Sequence, residues 1–199
     1  MQEHRRFVEE FANPYSWLMM ADNLHEQAIE IYERRQASSF ITQVDANGSI
    51  LKQTRSIDKS AFLLGGFAIE NALKAFLVYE NPSWVSNGKL SGKLRTHSLT
   101  SLHDLSKNVP NKQSYKRVLA DFESGLDSWF RYPCAISVEA TKSEKPLSDR
   151  LWKNYRNLML SYGRKLTGLL NSGWNGPHAF YGRWPINGPV LGFNASFQI

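Results

Sequence analysis

Apolar residues cover almost the whole circumference of one predicted helix, residues 60–79 (SAFLLGGFAIENALKAFLVY). On a helical wheel, the polar positions Glu70, Asn71 and Lys74 form only a narrow strip. Such a helix has to be covered by neighbouring elements on most sides. Each glycine of the Gly65-Gly66 pair costs about 1 kcal/mol relative to alanine, so we expect another backbone to pass close to it. The pattern predicts the central helix of a bundle.

Narrower apolar stripes, roughly 120° wide, mark further amphipathic helices. Asn13-Pro14 is a start signal for one of them, and Ser98 can cap a short one. The predicted helices cover residues 1–12, 14–36, 57–79, 99–107, 112–131 and 148–170. The long helices are joined by loops of the length that antiparallel neighbours need. The sequence therefore predicts an all-α fold, an up-and-down helical bundle of four to five main helices.

Two segments lack a helical pattern. In residues 37–54, Asn47-Gly48 either turns a hairpin or ends an irregular loop, and no regular structure is assigned there. Residues 172–199 interleave glycine and proline with aromatic side chains, so this segment cannot be a helix and is too aromatic for a solvated linker. We predict a bundle domain, residues 1–171, and an extended tail, residues 172–199, that packs on the bundle or on a partner.

The chain carries an excess of positive charge. Its 199 residues include 24 Lys and Arg against 18 Asp and Glu, a formal net charge of +6. This excess favours polyanionic partners, although an ordinary solvated surface often has the same excess. Basic residues concentrate in 89–95, in 112–117 and on the outer face of the last helix, where they could neutralise phosphates.

The sequence also favours a cytoplasmic location. Cys134 is the single cysteine, so no internal disulfide can form, and a reducing compartment is the simple expectation. The first residues lack an apolar signal core, and Glu70 and Lys74 interrupt the one candidate membrane span. We expect no membrane association.

The polar strip of the central helix has two interpretations. Glu70 and Lys74 are spaced i, i+4 with the acid first, the favourable order for an intrahelical ion pair. The pair either neutralises itself on the one wettable edge of a buried helix, or faces a cleft and orients a substrate or partner.

His97 and His103 flank the short predicted helix. Their spacing of six does not fit metal ligands on one helix face, and no cysteine completes a set, so we expect no metal site. His97 fits a structural hydrogen-bonding role before a helix cap. No nucleophile motif or phosphate-binding glycine loop occurs either, and we expect no cofactor.

Three motifs in order, GFAIENALKAFLVYENP, THSLTSLHDLSK and SWFRYP, give the chain a resemblance to HEPN-domain proteins over residues 57–133. The resemblance implies a helical bundle similar to the substrate domain of some nucleotidyltransferases. It also implies a homodimer and a possible minimal nucleotidyltransferase partner in a toxin–antitoxin or phage-defence system. Many members of that family are metal-independent ribonucleases.

The chain departs from the ribonuclease motif of that family. The family has an arginine, usually followed by a polar residue, and a histidine four to six residues after the arginine. Here Arg156-Asn157 matches the arginine position, but Ser161, Tyr162 and Gly163 occupy the positions of the histidine. Without an imidazole, a step usually worth about 10²–10⁴ in rate is lost.

Our leading hypothesis is a non-catalytic HEPN-like protein that binds a nucleotide, RNA or a protein partner. Its predicted cleft is lined by Glu70, Asn71, Lys74, His97 and Arg131. One alternative is a divergent endoribonuclease toxin that uses Arg156 with His97 or His103 from another helix. A second alternative is a purely structural interaction module whose aromatic tail docks to a larger system.

Overall fold

A computed structural model of the protein describes residues 2–35, 40–55, 58–110, 113–132, 134, 137–142 and 147–195. Parts of several predicted segments lie outside the described residues. They are residues 1 and 36, at the start of one predicted helix and the end of another, residues 57 and 112, where two helices were predicted to start, and residues 37–39 and 196–199 of the non-helical segments.

Helices dominate the described chain, which confirms a mostly helical fold. The helices are α1 (Gln2–Glu10), α2 (Pro14–Arg34), α3 (Asp58–Glu80), α4 (Leu99–Leu105), α5 (Gln113–Leu126), α6 (Val138–Lys142) and α7 (Asp149–Ser172). Short 3₁₀ turns at Pro82–Val85 and Gly92–Leu94 lie between α3 and α4. The strands are β1 (Phe40–Val44), β2 (Ile50–Arg55), β3 (Trp174–Asn175), β4 (Tyr181–Gly182), β5 (Gly188–Val190) and β6 (Phe193–Ala195). The all-α prediction is therefore incomplete, because strands pair as β1–β2, β3–β4 and β5–β6.

α3 is the core of the bundle. Side chains on all of its faces are buried, including Phe62, Ala68, Ile69, Ala72, Leu73, Phe76 and Leu77. Among the described residues it is the one helix long and apolar enough to cross a membrane, but most of it is buried inside the protein. It is thus the core helix of the bundle.

α2 runs antiparallel to α3. Tyr32, near the end of α2, packs on Phe62 near the start of α3, with ring centroids 6.1 Å apart. At the other end Trp17 lies beside Lys74, whose Nζ is 5.6 Å from the centroid of the Trp17 ring. The start of α2 is determined locally, because the Asn13 side chain caps the helix by accepting a hydrogen bond of 2.8 Å from the backbone N–H of Ser16.

α7 runs parallel to α3. Trp152 packs on Phe62 with centroids 5.2 Å apart, and ten residues later Tyr162 packs edge-on against Phe76 at 5.5 Å. The Ser148 side chain caps α7 by accepting a hydrogen bond of 3.2 Å from the backbone N–H of Leu151.

α5 runs antiparallel to α7. Phe122, late in α5, stacks on Tyr155 with centroids 5.2 Å apart, and Tyr115, early in α5, donates to the carbonyl oxygen of Asn157 at 3.4 Å. Successive long helices α2, α3, α5 and α7 therefore alternate in direction around one core.

The glycine pair of α3 makes room for side chains and not for a backbone. A Cβ on Gly65 would lie 3.1 Å from a ring carbon of Tyr155, and a Cβ on Gly66 would lie 2.7 Å from a methyl carbon of Leu126. The expectation that another backbone passes there is wrong, because large side chains of α7 and α5 fill the space.

Residues 40–55 form a β-hairpin, which decides between the two possibilities left open by the sequence. Asn47-Gly48 lies in its turn, and Gly48 has a positive φ of 81°. Ile41 and Ile50 are 60% and 64% exposed, so the hairpin extends from the bundle into solvent.

The C-terminal segment packs against the bundle. Trp174, Val190 and Leu191 are buried, and the indole Nε1 of Trp174 donates to the carbonyl oxygen of Tyr79 at 3.1 Å. The close backbone approach occurs here, since a Cβ on Gly163 would lie 2.6 Å from the carbonyl oxygen of Val190.

Two alanine substitutions in α7 test this packing. We expect Gly163→Ala to destabilise the protein by about 1–3 kcal/mol, because the new methyl group forces the tail away from α7. Gly168→Ala is the matched control: a Cβ there meets nothing within 4 Å, so helix propensity should stabilise the protein by about 1 kcal/mol. Urea unfolding measures both. Equal effects from the two substitutions would contradict the close contact of the tail with α7.

Candidate functional site

The polar strip of α3 is an internal ion pair. Lys74 Nζ lies 2.6 Å from Glu70 Oε1, and each residue is only 5% exposed. His97, from the loop before α4, places Nδ1 3.1 Å from both carboxylate oxygens of Glu70. The structure thus brings together three of the predicted site residues.

This arrangement leaves a ligand little to bind. A buried ion pair needs both partners, because removing one leaves an uncompensated charge in the core. The carboxylate also orients the imidazole of His97, whose side chain is 64% exposed. None of the cavities described below is lined by Glu70 or Lys74. The geometry favours the interpretation in which the pair neutralises itself.

Asn71 and Arg131 lie beside Phe67, one helical turn before Glu70. Asn71 Nδ2 donates to the carbonyl oxygen of Phe67 at 2.8 Å, and the guanidinium of Arg131 lies 5.7 Å from the centroid of the Phe67 ring. Within the described part of the chain, neither residue has a recorded hydrogen bond or ion pair with Glu70 or His97.

His103 has a structural environment. Its ring is buried, and Nδ1 lies 3.2 Å from Asp104 Oδ1. A hydrogen bond from Lys116, followed by that of His103, lowers the pKa of the Asp104 carboxyl. Neither His103 nor His97 lines the cavity that contains Arg156, so the predicted pairing of Arg156 with one of them is not formed.

A cavity of about 620 Å³ lies between α2 and α7, and we call it the α2–α7 cavity. Tyr32 stacks on Trp152 in its wall, with centroids 4.1 Å apart and planes 10° apart. The guanidinium of Arg35 covers the Tyr32 ring at 3.8 Å, and both residues contact Asp149. These stacked rings and paired charges form part of the wall of the cavity.

A buried histidine of α2 also lines the cavity, and no sequence motif pointed to it. His25 is only 3% exposed, and its Nδ1 lies 2.8 Å from the hydroxyl oxygen of Tyr155. Burial, together with the nearby positive charge of Arg156, lowers the pKa of His25 from 6.5 to about 4. The imidazole is therefore neutral at pH 7. Its position among the apolar residues of α2, between Ala21 and Ala28, was the available sequence signal.

The lining of the α2–α7 cavity includes two exposed cations, Lys153 and Arg156, and one exposed carboxylate, Glu26, besides the paired Arg35 and Asp149. Lys153 and Arg156 are exposed, and within the described residues no ion pair or hydrogen bond to either is recorded. Glu26 places a carboxyl in the same lining, and burial and then the charge of Asp22 raise its pKa. Asn157 adds an amide to the same wall. The arrangement suits an anion, since two cations and an amide face one space.

The catalytic histidine expected from the family motif has no substitute near Ser161 to Gly163. Tyr162 is fully buried against Phe76, and this burial raises the pKa of its hydroxyl above the ordinary value for tyrosine. Tyr162 therefore belongs to the core. Among the described residues, no group of three or more potential ligands could hold a metal ion.

Comparisons of this chain with protein-family models, with curated proteins and with solved structures give no match. The resemblance to HEPN-domain proteins rests on the sequence motifs alone and stays a prediction.

The depressed pKa of His25 predicts a stability that depends on pH. Between pH 6.5 and about 4 the unfolded chain binds a proton at His25 that the folded protein does not bind. The contribution of His25 to the free energy of unfolding therefore has its full value above pH 6.5 and falls by up to about 3 kcal/mol as the pH drops to 4. Urea unfolding of the wild type and of His25→Asn, which keeps a polar atom near Tyr155, measures it.

The variant is needed as a reference because the raised pKa values of Asp22 and Glu26 act in the opposite direction over part of this range. Parallel stability curves for wild type and variant from pH 4 to 6.5 would contradict the burial of a neutral His25.

Proposed function

We propose that this chain is a HEPN-like helical bundle protein that binds the phosphates of a nucleotide or RNA in the α2–α7 cavity. The observation that carries the proposal is the pair of exposed cations, Lys153 and Arg156, which line this cavity and form no ion pair with any residue that the structure describes. A cytoplasmic location, a homodimer and a nucleotidyltransferase partner in a toxin–antitoxin or phage-defence system belong to the same proposal. The homodimer and the partner are supported by the resemblance alone, and the cytoplasmic location by the single cysteine and the hydropathy pattern of the sequence.

The chemistry of the α2–α7 cavity fits phosphate. The planar fork of Arg156 matches two phosphate oxygens, while Lys153 supplies a point charge. The volume of about 620 Å³ is within the range of small-molecule sites. Both faces of the Tyr32 ring are already covered, by Trp152 and Arg35, so we expect affinity to come from phosphate contacts more than from base stacking.

Adjoining depressions favour a strand over a single nucleotide. A second depression shares Asn157 and Leu160 with the α2–α7 cavity and extends to Arg164. A third shares Arg164 with the second and reaches Lys165 and residues beyond it on α7. From Lys153 to Lys165 this basic track follows about 18 Å of helix, enough for several phosphates.

Arg156→Gln tests the proposal. We expect the dissociation constant for a labelled single-stranded RNA to rise about tenfold or more, the cost of a charged hydrogen bond to phosphate. The slope of log K against log salt should fall by about 0.7 for the lost phosphate contact. Fluorescence anisotropy measures both quantities. Arg150→Gln, the same charge change on α7 outside the cavity, is the matched control.

Equal weakening by both variants would mean that the overall positive charge attracts the RNA and that Arg156 makes no specific contact with it. If the wild-type protein binds neither RNA nor mononucleotides, the proposed function is wrong.

A divergent metal-independent endoribonuclease is the second candidate, favoured by one observation. His25 and Arg156 line the same cavity, so an imidazole is present near the arginine although the local motif lacks one. A neutral imidazole can accept the proton of a 2′-hydroxyl, and a guanidinium can stabilise the charge that develops on the phosphate. With a pKa of about 4, His25 is unprotonated at neutral pH, so it can accept a proton, although as a weak base, and it cannot act as an acid.

An RNA pool in the presence of a chelator tests this candidate. Cleavage should rise through about pH 4 and then stay flat to pH 8, following deprotonation of His25. His25→Asn should lower the rate by about 10² or more, whereas Arg150→Gln should cleave like the wild type. RNA that remains intact at high protein concentration would exclude the ribonuclease and leave the binding proposal standing.

A further inference from the structure

The loop between α3 and α4 encloses a cavity of about 350 Å³, which shares no lining residue with the α2–α7 cavity. Two cations, Lys89 and Arg95, line this loop cavity together with the polar side chains of Ser83, Asn87 and Ser91. Hydroxyl and amide groups at a cationic site are the donors that anion recognition uses.

Carboxylates are missing from this loop and are engaged elsewhere on the flanking helices. Residues 81–103 contain three basic residues and no Asp or Glu. At the end of α3, Glu80 accepts hydrogen bonds from the backbone N–H groups of Lys107 and Asn108, at 2.9 and 2.8 Å. In α4, Asp104 pairs with a lysine of α5 at 3.0 Å. Among the residues that the structure describes, no negative side chain lines the loop cavity, so its cations are not neutralised within it.

Two other elements hold the loop in shape. The ring of His4 in α1 lies against Gly88, which has a positive φ of 65°, and leaves no room for a Cβ there. His178 in the C-terminal segment forms a hydrogen bond with the carbonyl oxygen of Ser86. A cavity built in this way is preorganised, which lowers the entropic cost of binding.

The third basic residue of the loop has a different position. Lys93 Nζ lies 5.1 Å from the centroid of the Trp84 ring and does not line the loop cavity. The geometry therefore separates the two cations that face the cavity from one that packs on an aromatic ring.

We infer that the loop cavity binds a small anion with two or more phosphoryl groups, either pyrophosphate or the polyphosphate of a nucleotide. Arg95 supplies the bidentate fork, Lys89 a second charge, and the hydroxyl and amide groups the remaining donors. A volume of about 350 Å³ limits the bound group to a small one. The inference does not rest on the proposed function, because the site lies on other elements.

Calorimetric titration of the full chain with pyrophosphate tests the inference, with sulfate at equal ionic strength as the reference anion. We expect saturable binding by the wild type and a loss of about tenfold or more in Arg95→Gln and in Lys89→Gln. Lys93→Gln, the same charge change in the same loop, should alter the affinity less than about threefold, since Lys93 does not line the cavity and solvent screens its charge. Thermal melting checks that each variant is folded.

A parallel titration of Arg156→Gln separates the two sites. Unchanged pyrophosphate affinity in that variant, with the loss confined to Lys89 and Arg95, supports the loop site whatever the result for RNA. Loss in Arg156→Gln alone would place the anion in the α2–α7 cavity and overturn the inference.

Equal losses in all three loop variants, or no saturable binding at millimolar pyrophosphate, would also overturn it. Titration with ATP distinguishes the source of the phosphoryl groups: tighter binding than pyrophosphate indicates a nucleotide, and equal or weaker binding indicates the free polyphosphate.

Discussion

The ion pair between Glu70 and Lys74 lies inside a helix that α2, α5 and α7 cover on nearly every side. A helix so placed cannot hold a charge that is not compensated nearby, because transfer of a lone ion from water to the core costs several kcal/mol. The i, i+4 spacing solves this within the helix, and His97 adds a third group at its edge. The packing of the long helices, and with it the direction of each, depends on keeping α3 buried.

The burial of α3 also determines where on the protein a ligand can bind. Because the charged side chains of the polar strip of α3 pair with each other, a ligand has to bind to the outer elements of the bundle. Within the described part of the chain, α2 with α7 forms a cavity lined by Lys153 and Arg156, and the loop after α3 forms one lined by Lys89 and Arg95. The inward face of α7 supplies core residues such as Tyr155 and Tyr162, whereas its outward face carries Lys153, Arg156 and Arg164.

The distribution of carboxylates explains why a modest net charge produces two cationic cavities. Glu123 of α5 binds the start of α4 through Ser98 and the backbone N–H of Thr100, at 3.0 and 2.8 Å. Glu80 likewise holds the chain after α4, and Asp149 pairs with Arg35. Acidic side chains thus serve largely to cap helices and to connect elements through hydrogen bonds and ion pairs. The positive excess of the sequence is left on surfaces where solvent or an anion can neutralise it.

The sequence by itself determined the long helices and the Glu70–Lys74 pair, because periodicity, caps and i, i+4 spacing act between residues a few positions apart. It did not predict the short α6, which has no buried side chain to give it an apolar stripe. It did not determine the tail strands, whose pairing depends on contact with the bundle, or the side chains that occupy the space beside Gly65. The meeting of His25 with Tyr155, 130 residues apart, was likewise decided only by the tertiary structure. Packing of α2 against α7 creates that contact and lowers the pKa of His25, since burial of an ionisable group depends on the whole core and not on its neighbours in sequence.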